Sequence, residues 1–306
     1  MLSDQAKGVA ATLAAASIWG LSTLFYKELA GVPPLEVLSH RTVWSLAFFL
    51  LVLAYQRRLG DVRRAFAAPR NMVVIFLASV MIAANWFVFI WAIQIGRATQ
   101  SSLGYYIFPL VAVFLGRIFF AERLSRAQWA AVGLAALAVS VLTFGLGQAP
   151  WIALLLAVTF GLYGLFKKQL ELGPVVSVTA EVLLISPVAV LLLWQSHAGG
   201  QSSFGSDMWH SALLILSGPL TAMPLILFSF AAKRLTMATC GLLLYLNPTI
   251  QFAVAVFVFG EAFGGWHFLA FAMIWTALAI YSASALGREK ARRKALSAHP
   301  ASGTIV

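Results

Sequence analysis

The sequence predicts an all-α integral membrane protein: ten transmembrane helices arranged as two inverted five-helix repeats. Three observations carry this prediction. The first is composition: of 306 residues, 61% are hydrophobic and 10% are charged, where a soluble domain has about 25% charged residues. The apolar residues come in continuous runs of about 20, the length at which a helix rising about 1.5 Å per residue crosses the hydrocarbon core. The runs do not alternate as barrel strands must, which leaves helices as the spanning form. The second is an outline that returns: residues 101–122, SSLGYYIFPLVAVFLGRIFFAE, match 240–261, CGLLLYLNPTIQFAVAVFVFGE. Pro109 and Pro248 are 139 residues apart, and so are Glu122 and Glu261. The third is that WGLSTLFYKEL at 19–29 resembles FGLYGLFKKQL at 160–170, with Gly20 and Gly161 separated by 141 residues, as are Pro33 and Pro174. Each copy then has five spans. Five is odd, so the second copy enters the membrane upside down relative to the first, an architecture of many secondary transporters.

Taken in order, the first span covers roughly 8–26. It follows Lys7 and is too long for a signal-peptide apolar region, so it is read as retained. The second, 35–55, opens behind a proline pair and is followed by the basic loop 56–71. The third is 72–95, the fourth 101–119 and the fifth 127–144. The second copy supplies 150–166, 175–195, 210–231, 237–259 and 264–286, with a polar Gly/Ser-rich loop at 196–209. Pro219 and Pro224 mark the 210–231 span as a second place to expect a bent or broken helix. The repeats are thus 8–145 and 150–286, and the basic tail 287–306 is expected to be disordered.

Charge sets the orientation. The net charge of +11 would point to nucleic acid in a soluble chain. Here the Lys and Arg residues sort by side of the membrane. With both termini in the cytoplasm, all of the 21 basic residues except Lys27, Arg97 and the intramembrane Arg41 fall on the inner side. No nucleic-acid partner is implied; the bilayer is the partner, and the basic tail is a topology anchor beside anionic lipid. The single cysteine, Cys240, excludes an intramolecular disulfide and a Cys metal cluster. No metal or other cofactor is expected. The chain has no P-loop and no H-E-x-x-H, so neither direct ATP use nor zinc hydrolysis is indicated, and nothing resembles a channel filter. A monomer and a homodimer are both compatible with the sequence.

Polar groups at membrane depth are costly unless they face a cavity or a partner, so the few present are the candidate site. Pro109 and Pro248 lie near the midplane, where a proline removes one backbone hydrogen bond and frees a carbonyl. The expectation is either a substrate-lining break or a packing kink. Tyr105 and Tyr245 stand about one turn before these prolines, and Asn247 adds an amide beside the second. Asn85 and Trp86 sit mid-span in AANWFVFIWAIQ, with Gln94 nearer the outer end. Asn85 is expected to face a cavity or another helix. Substrate binding is therefore assigned to Asn85, Trp86, Tyr105, Pro109, Tyr245, Asn247 and Pro248. His40, Arg41 and Glu181 are candidates for coupling or gating. Arg41 either snorkels to the interface or anchors an anionic group. Glu181 is either a proton-coupling carboxylate or an interhelical hydrogen-bonding group. Each lies about 9 Å from its own end of the membrane, so the two are expected in opposite halves rather than paired. Glu122 and Glu261 read as helix-end polar anchors that help close each face. Tyr26, Tyr163, Trp19 and Trp44 add aromatic surface.

SHRTVWS at 39–45, NWFVFIWA at 85–92, SLGYY at 102–106 and the Phe259-Gly260-Glu261 end of the ninth span resemble the EamA family of the drug/metabolite transporter superfamily, over nearly the whole chain. The resemblance implies ten spans in two EamA-type repeats and a place in the bacterial inner membrane. It also implies a secondary carrier of small metabolites or drugs, chloramphenicol being the drug it points to, rather than an enzyme. Coupling to protons and uncoupled export or exchange both fit. One departure matters: family members of this kind tend to have Asn-Pro in the fourth span, where this chain has Phe108-Pro109, and its Asn-Pro is Asn247-Pro248.

Overall fold

The computed structural model describes residues 3–120, 124–147, 149–235 and 237–298. Glu122, Arg123 and residues 299–306 lie outside that set, and with them the expected place of Glu122 at one face. Among the described residues the chain is helical, with one isolated bridge between Phe204 and Asp207 and no named strand.

Helix α1 (Asp4–Glu28) starts on Ser3, whose hydroxyl accepts the Ala6 N–H. Helices α2 (Pro34–Tyr55), α4 (Pro69–Gln94) and α8 (Pro174–Ala198) each begin with proline, whose fixed φ and missing N–H suit a first turn. Between α2 and α4 lies a short helix, α3 (Leu59–Ala65), in the stretch expected to be loop. Its Val62 and Ala65 are buried against Leu53, Ile75 and Val176. Helix α5 (Ala98–Phe120) contains Pro109 without breaking. Helix α6 (Arg126–Leu146) opens with a reciprocal Ser125–Gln128 cap and closes on Gly147 at φ 68°. Helix α7 (Trp151–Lys167) is followed by α8 and then α9 (Met208–Ala232), which starts on Asp207. The expectation of a break in the 210–231 span is not met, because α9 runs through both Pro219 and Pro224.

The expected 237–259 span is segmented. Helix α10 (Met237–Leu244) stops, α11 (Leu246–Ala253) restarts after Tyr245, and a π-helical turn (Val254–Val258) completes the crossing. The carbonyl that Pro248 leaves without a helical partner is that of Leu244, and the helix parts at that point. Helix α12 (Gly265–Ala298) continues past the end expected at 286, so 287–298 is helical rather than disordered. The reason is composition: GREKARRKALSA has one glycine, no proline and mostly strong helix formers.

Nine helical stretches among the described residues, the segmented Thr239–Val258 counted as one, are long and apolar enough to cross a membrane, and α7 is a further apolar helix of 17 residues. The principal packings are α5 on α7, α6 on α12, α2 on α8 and α9, α4 on α7, and α1 on α9 and α11. Close approach needs small residues. A Cβ at Gly20 of α1 would lie 2.6 Å from Ile250 Cβ of α11, and one at Gly104 of α5 would lie 2.8 Å from the Ala153 carbonyl of α7. The two ends of the bundle differ. One gathers Leu29, Val32, Ile93, Ala98 and Ala255, and is here named for Glu261. The other gathers Leu53, Ile75, Leu170 and Val176, and is named for Lys167.

Candidate functional site

Arg41, on α2, is 6% exposed. It does not snorkel to water. Its guanidinium carbon lies 4.2 Å from the centre of the Trp86 ring and 5.5 Å from that of Tyr26, a cation–π cage built from α4 and α1. From Tyr26 a row of rings continues through the bundle: Phe89 at 5.7 Å, Tyr105 at 6.0 Å, Phe160 at 5.8 Å and Tyr163 at 5.8 Å, each measured from the ring before it.

The row ends on a second charged group. The Tyr163 hydroxyl donates to Glu181 Oε2 at 3.0 Å, and Lys167 Nζ donates to Oε1 at 2.8 Å. Ser177 Oγ donates to the same oxygen at 2.8 Å and accepts from Lys167 at 2.7 Å. Glu181 is 0% exposed and the Lys167 side chain 22%, so this is an ion pair whose carboxylate is buried and hydrogen-bonded through both oxygens. Arg41 and Glu181 stand against opposite ends of the aromatic row, and no ion pair joins them among the described residues. Lys167 had no site role in the sequence reading. The signal lies in the 141-residue offset, at which Lys167 aligns with Tyr26 where 160–170 resembles 19–29.

Asn85 sits beside the middle of the row and is 0% exposed. Its Nδ2 donates to the Leu156 carbonyl at 2.9 Å and to Thr159 Oγ1 at 3.0 Å, both on α7, while its Oδ1 accepts from the Tyr105 hydroxyl at 3.0 Å. Of the two expectations for Asn85, the interhelical bond is the one observed: both amide hydrogens are committed to protein, and the residue fixes Tyr105 against α4 and α7.

Tyr245, Asn247 and Pro248 are placed differently. Among the described residues, no hydrogen bond or ring contact joins them to Arg41, Trp86, Asn85 or Tyr105. Tyr245 packs toward α12 with Phe271 and Ile274. Asn247 Oδ1 accepts from Gln251 Nε2 at 2.8 Å, and the Pro248 carbonyl accepts from Ser102 Oγ at 2.9 Å. With the Tyr106–Thr249 hydroxyl contact at 2.7 Å, these residues stitch the α5–α11 crossing. Pro109 lies one turn beyond Tyr105 inside the unbroken α5.

Polar contacts close the Glu261 end. Glu261 accepts the N–H groups of Ala98 and Thr99. Gln94 Nε2 donates to the carbonyls of Leu29 at 2.8 Å and Val32 at 3.0 Å. Glu36 Oε1 accepts from Ser202 Oγ and from the Ser203 and Phe204 N–H groups, and Phe204 stacks on His40 at 4.8 Å. The segment around Ser202–Phe204 is thereby held over His40. A separate cavity of about 300 Å³ at this end is lined by Arg97, Gln100, Glu261 and His267 and includes none of the residues assigned to the site from sequence.

Comparison with known proteins bears on this arrangement. Residues 6–144 match the model of the EamA-like transporter family. The uncharacterized transporter YojE of Bacillus subtilis is 40% identical over 291 residues, covering 94% of this chain and 97% of that protein. Protein RarD of Streptomyces exfoliatus is 40% identical over 297 residues, covering 96% and 94%. A solved crystal structure, 17% identical, superposes with a TM-score of 0.59 over 90% of this chain and 95% of its own, which shows a shared fold. With its apolar helices and full-length transporter relatives, this is a multi-pass bacterial membrane protein, and the chain belongs to the EamA family of drug/metabolite transporters.

Proposed function

We propose that the chain is a secondary carrier which moves small organic solutes across the bacterial inner membrane by alternating access. Its ten spans form two inverted five-helix repeats, with both termini cytoplasmic. The observation that carries the reading is a symmetry in the helix packing. Number the spans so that α7, α8, α9, α10–α11 and α12 repeat α1, α2, α4, α5 and α6. The α5–α7 contact then has its mate in α11–α1, α4–α7 in α9–α1, and α2–α9 in α8–α4. The α2–α8, α5–α11 and α6–α12 contacts are their own mates. Two halves that exchange roles in this way can present one pocket to either face at similar energy.

The aromatic row between Arg41 and Glu181 is the proposed pathway. Trp86 and Tyr105 line it, and Asn85 positions Tyr105. Pro109, Tyr245, Asn247 and Pro248 belong to the α5–α11 crossing that must shift as the pocket changes sides. His40 and Glu181 are assigned to coupling or gating, Glu181 through its bond with Lys167.

The test is uptake and efflux in inverted vesicles and proteoliposomes against a broad metabolite panel that includes chloramphenicol, with pH gradients imposed and removed. Saturable flux of at least one solute is expected. Flux indifferent to the gradient, in wild type and in Glu181→Gln alike, would favour an uncoupled exporter or exchanger. Unitary conductance steps in a planar bilayer would replace the carrier with a channel.

A further inference from the structure

Arg41 and Glu181 occupy almost the same place in the two copies, yet their charges are handled differently. Residue 181 is the repeat mate of His40, one position before Arg41, and residue 167 is the mate of Tyr26. In the second copy the helix-pair contact is Lys167 on Glu181, a complete ion pair. In the first copy the same contact is Tyr26 on Arg41, a ring on a cation. The first copy therefore has a charge for which the protein supplies no counter-ion. No carboxylate lies within ion-pair distance of Arg41 among the described residues, and two of its nitrogens, Nε and Nη1, are buried without a hydrogen-bond partner. An uncompensated cation at membrane depth is among the most costly groups a helix bundle can hold.

The surroundings say what would complete it. The Trp86 and Tyr26 rings lie against the guanidinium, and neither ring carries a charge. Further orphaned polar atoms stand one turn away on the same helices: Trp44 Nε1, three residues after Arg41, and Thr23 Oγ1, three residues before Tyr26. Beyond them run the faces and edges of Phe89, Tyr105 and Phe160. This is a single positive charge set at the head of an apolar, ring-lined path. A monoanion balances it, whereas a dianion such as phosphate would leave a net buried charge. A bare inorganic ion would make no use of the rings.

We propose that Arg41 anchors the carboxylate of a small organic acid, whose apolar or aromatic body lies along Tyr26, Trp86 and Tyr105. This rests on the reading of the chain as a carrier and names the class of its cargo. Glu181 needs no such partner, because Lys167 already holds it.

The experiment uses the full chain in nanodiscs of phosphatidylcholine alone, so that no lipid supplies an anionic headgroup. The probes are benzoate against benzamide and hexanoate against hexanamide, pairs alike in shape and different in charge. Binding is read by tryptophan fluorescence and by thermal shift. At least one acid is expected to bind wild type about tenfold or more tightly than its amide, a preference of about 1.4 kcal/mol. Arg41→Gln should erase that preference. Arg41→Lys, which keeps the charge without the planar fork, should retain only part of it and serves if the glutamine variant does not fold. Equal affinity of each acid and its amide for wild type overturns the proposal, as does competition by chloride or inorganic phosphate as strong as that of the acids. Flux separates the two readings. If proteoliposomes carry amides as fast as acids, and Arg41→Gln changes nothing, the carboxylate anchor fails and the carrier stands. If acid binding depends on Arg41 but no solute moves, the carrier fails and the anchor stands.

Discussion

Glu261 closes the start of α5 by gripping Ala98. Its Oε1 accepts the Ala98 N–H at 2.6 Å, and its Oε2 accepts the neighbouring Thr99 N–H at 2.7 Å. A carboxylate at a helix N-terminus satisfies orphan donors and meets the positive end of the helix dipole. The geometry arises from the segment before it. The π-helical turn ends with the Phe259 N–H on the Val254 carbonyl at 2.9 Å, and Gly260 at φ 66° turns the chain so that Glu261 faces α5. Each bond to a charged acceptor contributes about 1.5–3 kcal/mol. Glu261→Ala removes both bonds and is expected to lower stability in detergent by about 3 kcal/mol or more and to raise the labelling rate of a cysteine placed at Thr99. Unchanged labelling would mean that the apolar contacts around Ala98 close this end by themselves.

The Lys167–Glu181 pair should behave as a unit. Removing Lys167 leaves the fully buried Glu181 carboxylate alone, at a cost of about 3–5 kcal/mol, whereas removing Glu181 leaves Lys167, whose side chain is 22% exposed, at a smaller cost. Lys167→Met is expected to destabilise strongly and Glu181→Gln less so, while the double variant loses much less than the sum. Thermal unfolding of all four proteins measures the coupling, and simple additivity would contradict the pairing.

Asn85 and Tyr105 can be separated by what each leaves behind. Tyr105→Phe keeps the ring contacts with Phe89 and Phe160 and removes one hydrogen bond, a loss of about 1 kcal/mol. Asn85→Ala strands the Tyr105 hydroxyl and two acceptors on α7, and should cost about 2–3 kcal/mol. If transport is measured alongside, Asn85→Ala should impair it through the misplaced Tyr105. Normal flux in Asn85→Ala would remove that positioning role.

Close packing at Gly20 gives a steric test. A methyl group there meets Ile250 Cβ and the Asn247 carbonyl, so Gly20→Ala is expected to destabilise by about 1–3 kcal/mol through overpacking. Gly20→Ala combined with Ile250→Ala, which removes the Cγ2 that the added methyl group would approach to 2.9 Å, should cost less than the sum of the two single variants in the same melting assay.

The spans were legible because hydrophobic run length is a direct physical requirement of the bilayer, and Asn85, Trp86, Tyr105 and Arg41 stood out because polar atoms are scarce at that depth. What joins them was not legible. Lys167 sits at the end of a helix and reads as a topology charge, yet it reaches back to Glu181. Glu36, in the first turn of α2, organises a loop 166 or more residues away, a partnership that no local pattern in the sequence marks. The short α3 was hidden inside a run of arginines whose basic character masked the spacing of Leu59, Val62 and Ala65. Pro109 and Pro248 show the limit most clearly. Their sequence outlines agree, but α5 stays whole and α10–α11 parts at Tyr245. A proline frees the same carbonyl in both cases, and the packing of neighbours decides whether the helix separates there.

That difference has a mechanical consequence. The parted helix has two interruptions of its α-helical ladder, the junction at Tyr245 and the wide turn before Phe259, while α5, whose sequence outline it shares, runs unbroken. Bending is cheapest where the backbone ladder is already interrupted. In the proposed carrier the later half of the chain would be the compliant arm, and the earlier half, with Arg41 in it, the frame against which that arm swings.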